Sequence, residues 1–133
     1  MNILHLCADY LNTNLYRELV ISLDRINVEQ LIYIPLRKDK EYSESINDEL
    51  RNANFVYSKV FNNIDRLFYN RKINKILIDI ENKIDFKKID LVHAHFLFSM
   101  GGIALKLKKE KNIDYIVTVQ NTDVNLFFKY IFE

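Results

Sequence analysis

The sequence predicts an α/β fold: an open parallel sheet of about five strands flanked by helices. Three observations carry that prediction. Apolar runs of strand length alternate with stretches of helical period along the chain. Polar clusters follow several of these runs, where an open parallel sheet keeps its ligand-handling loops. The 133 residues, 49% hydrophobic and 28% charged, suit one globular domain with a sizeable core.

Each element has its own signal. Asn2–Ala8 (NILHLCA) reads as a buried first strand, followed by a polar turn from Asp9 to Asn14. Leu15, Leu19, Leu23 and Ile26 recur at helical spacing behind Asn12, Thr13 and Asn14, three residues able to cap a helix. Glu29–Pro35 is a second strand, stopped by the only proline. A charged loop then leads into a short helix from Glu44 to Asn52, and Asn54–Phe61 is the third strand. Tyr69, Ile73, Ile76, Leu77, Ile80 and Ile84 trace one face of a longer helix. Asp90–His95 (DLVHAH) is the fourth strand, Met100, Ile103, Ala104 and Leu107 mark the next helix, and Asp114–Val119 is the fifth strand. The closing NLFFKYIF reads as a helix beginning. No internal repeat, low-complexity tract or linker interrupts this pattern.

Composition excludes several function classes. Lys and Arg total 19 against 18 for Asp and Glu, a formal charge of +1, so broad attraction to nucleic acid is not expected. The run Lys106, Lys108, Lys109 and Lys111 reads as the solvated face of a helix. Cys7 is the only cysteine, which rules out an intrachain disulfide. The opening MNILHLCADY lacks the basic segment and cleavage pattern of a signal peptide. No stretch reaches the ~20 apolar residues that cross a bilayer. The expected location is the cytoplasm, at the inner face of the membrane if the protein associates peripherally with it.

Right-handed crossovers in the strand order 3-2-1-4-5 would place the first and fourth strands side by side, with the reversal between them. His95 then stands at the mouth of the crevice. His93, two residues earlier, points to the same face and reads as a buried, hydrogen-bonded imidazole, as does His5. These rings with Cys7 are of zinc-binding type, but no compact ligand motif joins them, so no metal is expected. The cluster ADYLNTN contains no glycine, which disfavours a dinucleotide site. In HFLFSMGG, Ser99 is a candidate helix cap, and Gly101 and Gly102 permit either close helix–sheet packing or an anion at the helix start. In TVQNTD the amides of Gln120 and Asn121, Thr122 and the carboxylate of Asp123 suit a hydroxyl-rich ligand, and equally a capped turn.

Together MNILHLC, DLVHAHFLFSMGGIALKLKK (Asp90–Lys109) and IDYIVTVQNTDVN (Ile113–Asn125) resemble the N-terminal domain of family-4 glycosyltransferases, which have the GT-B architecture. As fold the resemblance covers the whole chain, and as motif about a third of it. It implies transfer of a sugar from a nucleotide-sugar donor to an acceptor hydroxyl, across a cleft between two Rossmann-like domains, with retention at the anomeric carbon. Residues 1–133 would be the acceptor-side domain, a truncated front part of such an enzyme, with the donor-binding domain absent. By position, Asp9, Tyr10, Asn12, His95, Phe96, Ser99, Gln120, Asn121, Thr122 and Asp123 would line the cleft. The resemblance singles out no catalytic residue and implies neither metal nor other cofactor.

Gln120-Asn121 stand where many relatives carry His-Gly, and an amide does not shuttle a proton near neutral pH. The implied partners are a nucleotide sugar, held mainly by the other domain, and a sugar or glycolipid acceptor. Self-association through residues 125–132 is also expected, because that segment is apolar. Two other classes remain open to the sequence: a non-catalytic α/β module binding a ligand or a protein, and a metallohydrolase using the histidines.

Overall fold

The computed structural model describes residues 1–43 and 49–128. Five strands form one all-parallel sheet: β1 (Asn2–Leu6), β2 (Glu29–Arg37), β3 (Ala53–Phe61), β4 (Leu91–His95) and β5 (Asp114–Thr118). Their order is β3-β2-β1-β4-β5, as expected from the alternation of elements. Helices α1 (Leu15–Arg25), α2 (Tyr69–Lys83) and α3 (Gly102–Lys111) cover the sheet in a Rossmann-like arrangement. A wider, π-type turn over Leu97–Gly101 precedes α3, and another runs over Asp123–Phe128.

Alternation along the strands divides the core into two layers. Leu4 and Leu6 of β1 join Val92 and Ala94 of β4 under α2 and α3, where Ile73, Ile76, Ile80, Ile103 and Leu107 meet them. Cys7 joins Ile32 and Ile34 on the other face, under Tyr16 and Val20 of α1. Each such aliphatic side chain removed from water contributes roughly 1.5–3 kcal/mol, which makes these layers the main source of stability. On the α2 face, Asp79 accepts from the Tyr33 hydroxyl at 2.7 Å and the Ser58 hydroxyl at 2.5 Å, and pairs with Lys83 at 3.0 Å. Burial draws the Asp79 pKa upward, but these three partners outweigh it and hold the carboxyl below its ordinary value.

Several expectations need correction. β1 leaves the sheet after Leu6, and the region 49–52 is turn and bend rather than helix, while residues 44–48 of that expected helix lie outside the described residues. Pro35 does not stop β2, which runs on to Arg37. The reason is geometric. Tyr33 accepts from the Cys7 amide, so Pro35, two residues on, turns its nitrogen toward the same side, where β1 has already ended and no donor is needed. In α1 the buried positions are Tyr16 and Val20, whereas Leu15 and Ile26 face solvent. Ser99 does not cap α3, because it lies inside the wide turn and Gly101 occupies the cap position.

Of the two readings of the glycine pair, helix–sheet packing is what Gly101 shows, since a methyl group there would lie 3.6 Å from Val117 of β5, whereas one on Gly102 would run into the Tyr69 hydroxyl at the start of α2. Asp65 pins the neighbouring connection. It completes a capping box with Asn62 and pairs with Arg71 and Lys75, each at 2.8 Å.

Candidate functional site

The carboxyl ends of the strands gather two groups of polar residues, one inside the edge and one open to solvent. The inner group begins with three rings on the α1 face. His5 and His93 are register partners on β1 and β4, and His95 follows two residues on, so all three imidazoles share a face. His5 Nδ1 lies 3.2 Å from His95 Nε2 and shares one proton with it, while His93 Nε2 is 2.7 Å from the Thr118 hydroxyl. Tyr16 of α1 meets His95 edge-on.

Burial and mutual repulsion keep these rings neutral. Burial first, then the neighbouring His93, lowers the His5 pKa to about 4, and burial with both other histidines lowers that of His95 to about 3. Burial lowers His93 as well. The three offer nitrogen ligand atoms within 4.8 Å of one another, so a metal is geometrically conceivable. Cys7, the fourth residue considered, is not part of the set, and burial raises its thiol pKa far above the thiolate range. A metal held through His5 Nδ1, His95 Nε2 and His93 Nε2 would displace the His5–His95 and His93–Thr118 contacts, whereas His5 Nε2 has no hydrogen-bond partner.

The loops beyond β4 and β5 are locked to each other. Asp123 is buried, and its Oδ2 accepts from the backbone amides of Leu97 at 3.0 Å and Gln120 at 2.9 Å. The Gln120 amide donates to the Tyr16 hydroxyl at 3.2 Å. Phe96 adopts φ 98 and ψ 125, a conformation a side chain rarely takes, and its ring packs into the α1-side core. Its amide donates to Thr118 O and its carbonyl accepts from Gly101, so hydrogen bonds on both sides fix the strained residue.

The outer group surrounds β1 to β3. Asp9 follows β1, half-buried, and accepts from the Asn12 amide at 3.2 Å. It lines a hollow of about 350 Å³ with Asn12, Arg37, Lys40, Phe61 and Lys72. A second hollow of about 380 Å³ shares Asn12 and Lys40 and extends past Arg17 and Tyr42.

The residues expected to line a cleft therefore divide. Asp9 and Asn12 reach the open hollow, and Asn121 and Thr122 are exposed at the end of β5. His95 and Asp123 stand at the carboxyl edge but are turned inward, and the rings of Tyr10 and Phe96 belong to the core. Ser99 is half-buried in the turn before α3. Sequence reasoning missed Arg37, Lys40 and Lys72, which come together only in space. The sole hint was the charged LRKDK directly after the second strand. Tyr16, which links His95 to Gln120, lay outside the face read from Leu15, Leu19, Leu23 and Ile26 and carried no signal.

No family model matches the sequence. Over 86 residues the chain is 31% identical to an uncharacterized glycosyltransferase of Methanocaldococcus jannaschii, covering 58% of this chain and 23% of that protein. Over 41 residues it is 39% identical to TuaC of Bacillus subtilis, named for glycosyl transfer in teichuronic acid biosynthesis, covering 31% of this chain and 10% of that one. The chain thus spans less than a quarter of the length of either relative. Both matches relate it to glycosyltransferases.

Proposed function

We propose that the chain forms the acceptor-side domain of a family-4 glycosyltransferase of GT-B architecture, working with a donor-binding domain across a cleft. The observation that carries this reading is the similarity to glycosyltransferases over more than half of the chain. The Rossmann-like sheet, with polar side chains at the carboxyl ends of β1 and β5, agrees with it.

In this reading Asp9, Asn12, Asn121 and Thr122 meet the acceptor, and a carboxylate and amides suit hydroxyls. His95, Gln120 and Asp123 act from behind as positioning residues, since their polar atoms already hold β1, α1 and the two loops in place. The nucleotide sugar belongs to the other domain. Sugar transfer needs its phosphates neutralised and its anomeric carbon aligned, and the present chain aligns only the acceptor. Exposed Ile64, Leu67, Phe68 and Tyr69 form an apolar rim between β3 and α2, which supports peripheral membrane association near a lipid-borne acceptor. Among the described residues no helix is long and apolar enough to cross a membrane.

Calorimetry and ligand-observed NMR on the purified chain test the assignment. Nucleotide sugars should bind no more tightly than the millimolar range, about 4 kcal/mol, while acceptor glycans should perturb residues around Asp9 and Asn121. Micromolar binding of a nucleotide sugar would mean that the chain holds a complete donor site, and the acceptor-side reading would fall.

A further inference from the structure

The hollow beyond β1, β2 and β3 has a charge pattern that hydroxyl recognition does not need. Three cationic side chains reach it from three separate stretches of chain: Arg37 at the end of β2, Lys40 in the loop that follows, and Lys72 in the first turn of α2. Their convergence is a product of the fold, because the order β3-β2-β1 brings these strand ends together at one edge. The lining includes one carboxylate, Asp9, and one of its oxygens already accepts from Asn12.

Local contacts hold two of the cations in place. Asp39 grips the Arg37 guanidinium through Nε and a terminal nitrogen, both at 3.1 Å, which fixes the plane of the fork and leaves further N–H groups to donate. Asp39 also accepts from Asn63 at 3.3 Å, and its charge is balanced by Arg37, so the positive excess at the hollow comes from Lys40 and Lys72 set against Asp9. The Lys72 ammonium sits 5.1 Å from the centre of the Phe61 ring, over an apolar floor that lowers the local dielectric. Lys40 makes no ion pair among the described residues. Glu41 lines the adjoining hollow and does not line this one.

A planar fork beside two ammonium groups matches a tetrahedral oxyanion better than a carboxylate-poor glycan. The volume of about 350 Å³ is room for a phosphoryl group with one sugar or polyol ring. The adjoining hollow, reached through Asn12 and Lys40, offers room for the rest of such a ligand.

We propose that this hollow is an anion subsite in which Arg37, Lys40 and Lys72 hold the phosphoryl group of a phosphorylated sugar or polyol. Its role as part of an acceptor rests on the acceptor-side reading above, whereas phosphate binding itself does not. The same chemistry is offered by a soluble sugar phosphate and by a phosphorylated lipid headgroup.

The test uses the purified chain with three probes: inorganic phosphate, glucose 6-phosphate, and phosphatidylcholine vesicles with or without phosphatidic acid. NMR should show the Arg37 Nε–H and the amides of Asn12 and Lys40 shifting with phosphate, saturating near about 1–10 mM. Glucose 6-phosphate should bind more tightly than phosphate if the source is soluble. Vesicles with phosphatidic acid should compete for the same resonances if it is a headgroup. The double variant Lys40→Gln, Lys72→Gln should weaken binding at least about tenfold. The double variant Lys87→Gln, Lys88→Gln, with both changes at the opposite edge of the sheet, should leave it unchanged. Circular dichroism checks that each variant is folded. Shifts reproduced by chloride at equal ionic strength, or an equal loss in both double variants, would overturn the subsite. Phosphate binding without any acceptor glycan binding would leave the subsite standing and count against the glycosyltransferase reading instead.

Discussion

The Asp123 carboxylate accepts the Leu97 amide 26 residues away in sequence, at 3.0 Å, and so fastens the loop after β5 to the loop after β4. The same oxygen accepts from Gln120, and the side chain is buried. Asp123→Ala would leave two backbone donors without their charged partner. The expected loss is about 2–4 kcal/mol of stability, read from urea denaturation. Asp123→Asn, which keeps one acceptor oxygen, should cost less. A neutral result for Asp123→Ala would show that the loops are held by something else.

Acid should weaken the fold before the carboxylates titrate. His5 and His95 have folded pKa values of about 4 and about 3, below the ordinary histidine value of 6.5. The unfolded chain therefore binds more protons in the interval between. Their contribution is complete above pH 6.5 and is lost as pH falls toward the folded values, at a slope on the order of 2 kcal/mol per pH unit. Asp65 and Asp79 have lowered pKa values, so their contribution is lost only below the ordinary carboxylate value of 3.8. Denaturation midpoints measured across the histidine interval should decline steadily. A flat profile there would contradict the neutral-ring arrangement.

Zinc should not occupy the histidine cluster. His5 Nδ1 and His95 Nε2 engage each other and His93 Nε2 engages Thr118, and although His5 Nε2 has no partner, the set lacks an anionic ligand to offset a buried dication. Elemental analysis after purification without chelators should find well below one zinc per chain. Stoichiometric metal, lost in His95→Gln, would reverse this expectation and favour metal-dependent hydrolysis.

Gly102→Ala should cost no more than about 1 kcal/mol, because the added methyl meets the terminal hydroxyl of the half-exposed Tyr69, which can turn aside at a modest rotamer cost. Tyr69→Phe in the same chain should recover part of the loss, and denaturation of both variants measures it. No recovery would place the strain elsewhere.

The chain should self-associate at high concentration. Leu126 and Ile116 are each nearly half exposed, and the apolar Tyr130, Ile131 and Phe132 follow in sequence, outside the described residues. Sedimentation velocity should show a concentration-dependent shift that Leu126→Asp reduces. A strictly monomeric species throughout would argue against an apolar contact here.

The strand order and the helix faces over Ile73–Ile80 and Met100–Leu107 were legible because burial leaves a period in the sequence. His93 was legible too, as an imidazole satisfied within the fold, and Thr118 is its partner. What escaped depends on distance in space. Arg37 and Lys72 are far apart in sequence, and nothing local marks them as neighbours. Asp123 displayed a polar side chain in a polar loop, but its two backbone partners emerge only when β4 and β5 lie side by side. Pro35 misled because a proline looks like a stop until one sees which side of the strand has lost its neighbour.

The central position of β1 has a consequence for how the chain acquires its structure. β1 is made first, yet one of its two neighbours is β4, with His5 aligned to His93 and the Asn2 amide bound to the Asp90 carboxylate at 2.7 Å. During synthesis β1, β2 and β3 can assemble while one edge of β1 stays bare, and α2 must be complete before that edge is filled. Pairing at such sequence separation slows folding and prolongs exposure of an open strand edge to other chains. Mutations in the 62–90 connection should therefore lower the yield of newly made protein more than they lower the stability of protein already folded.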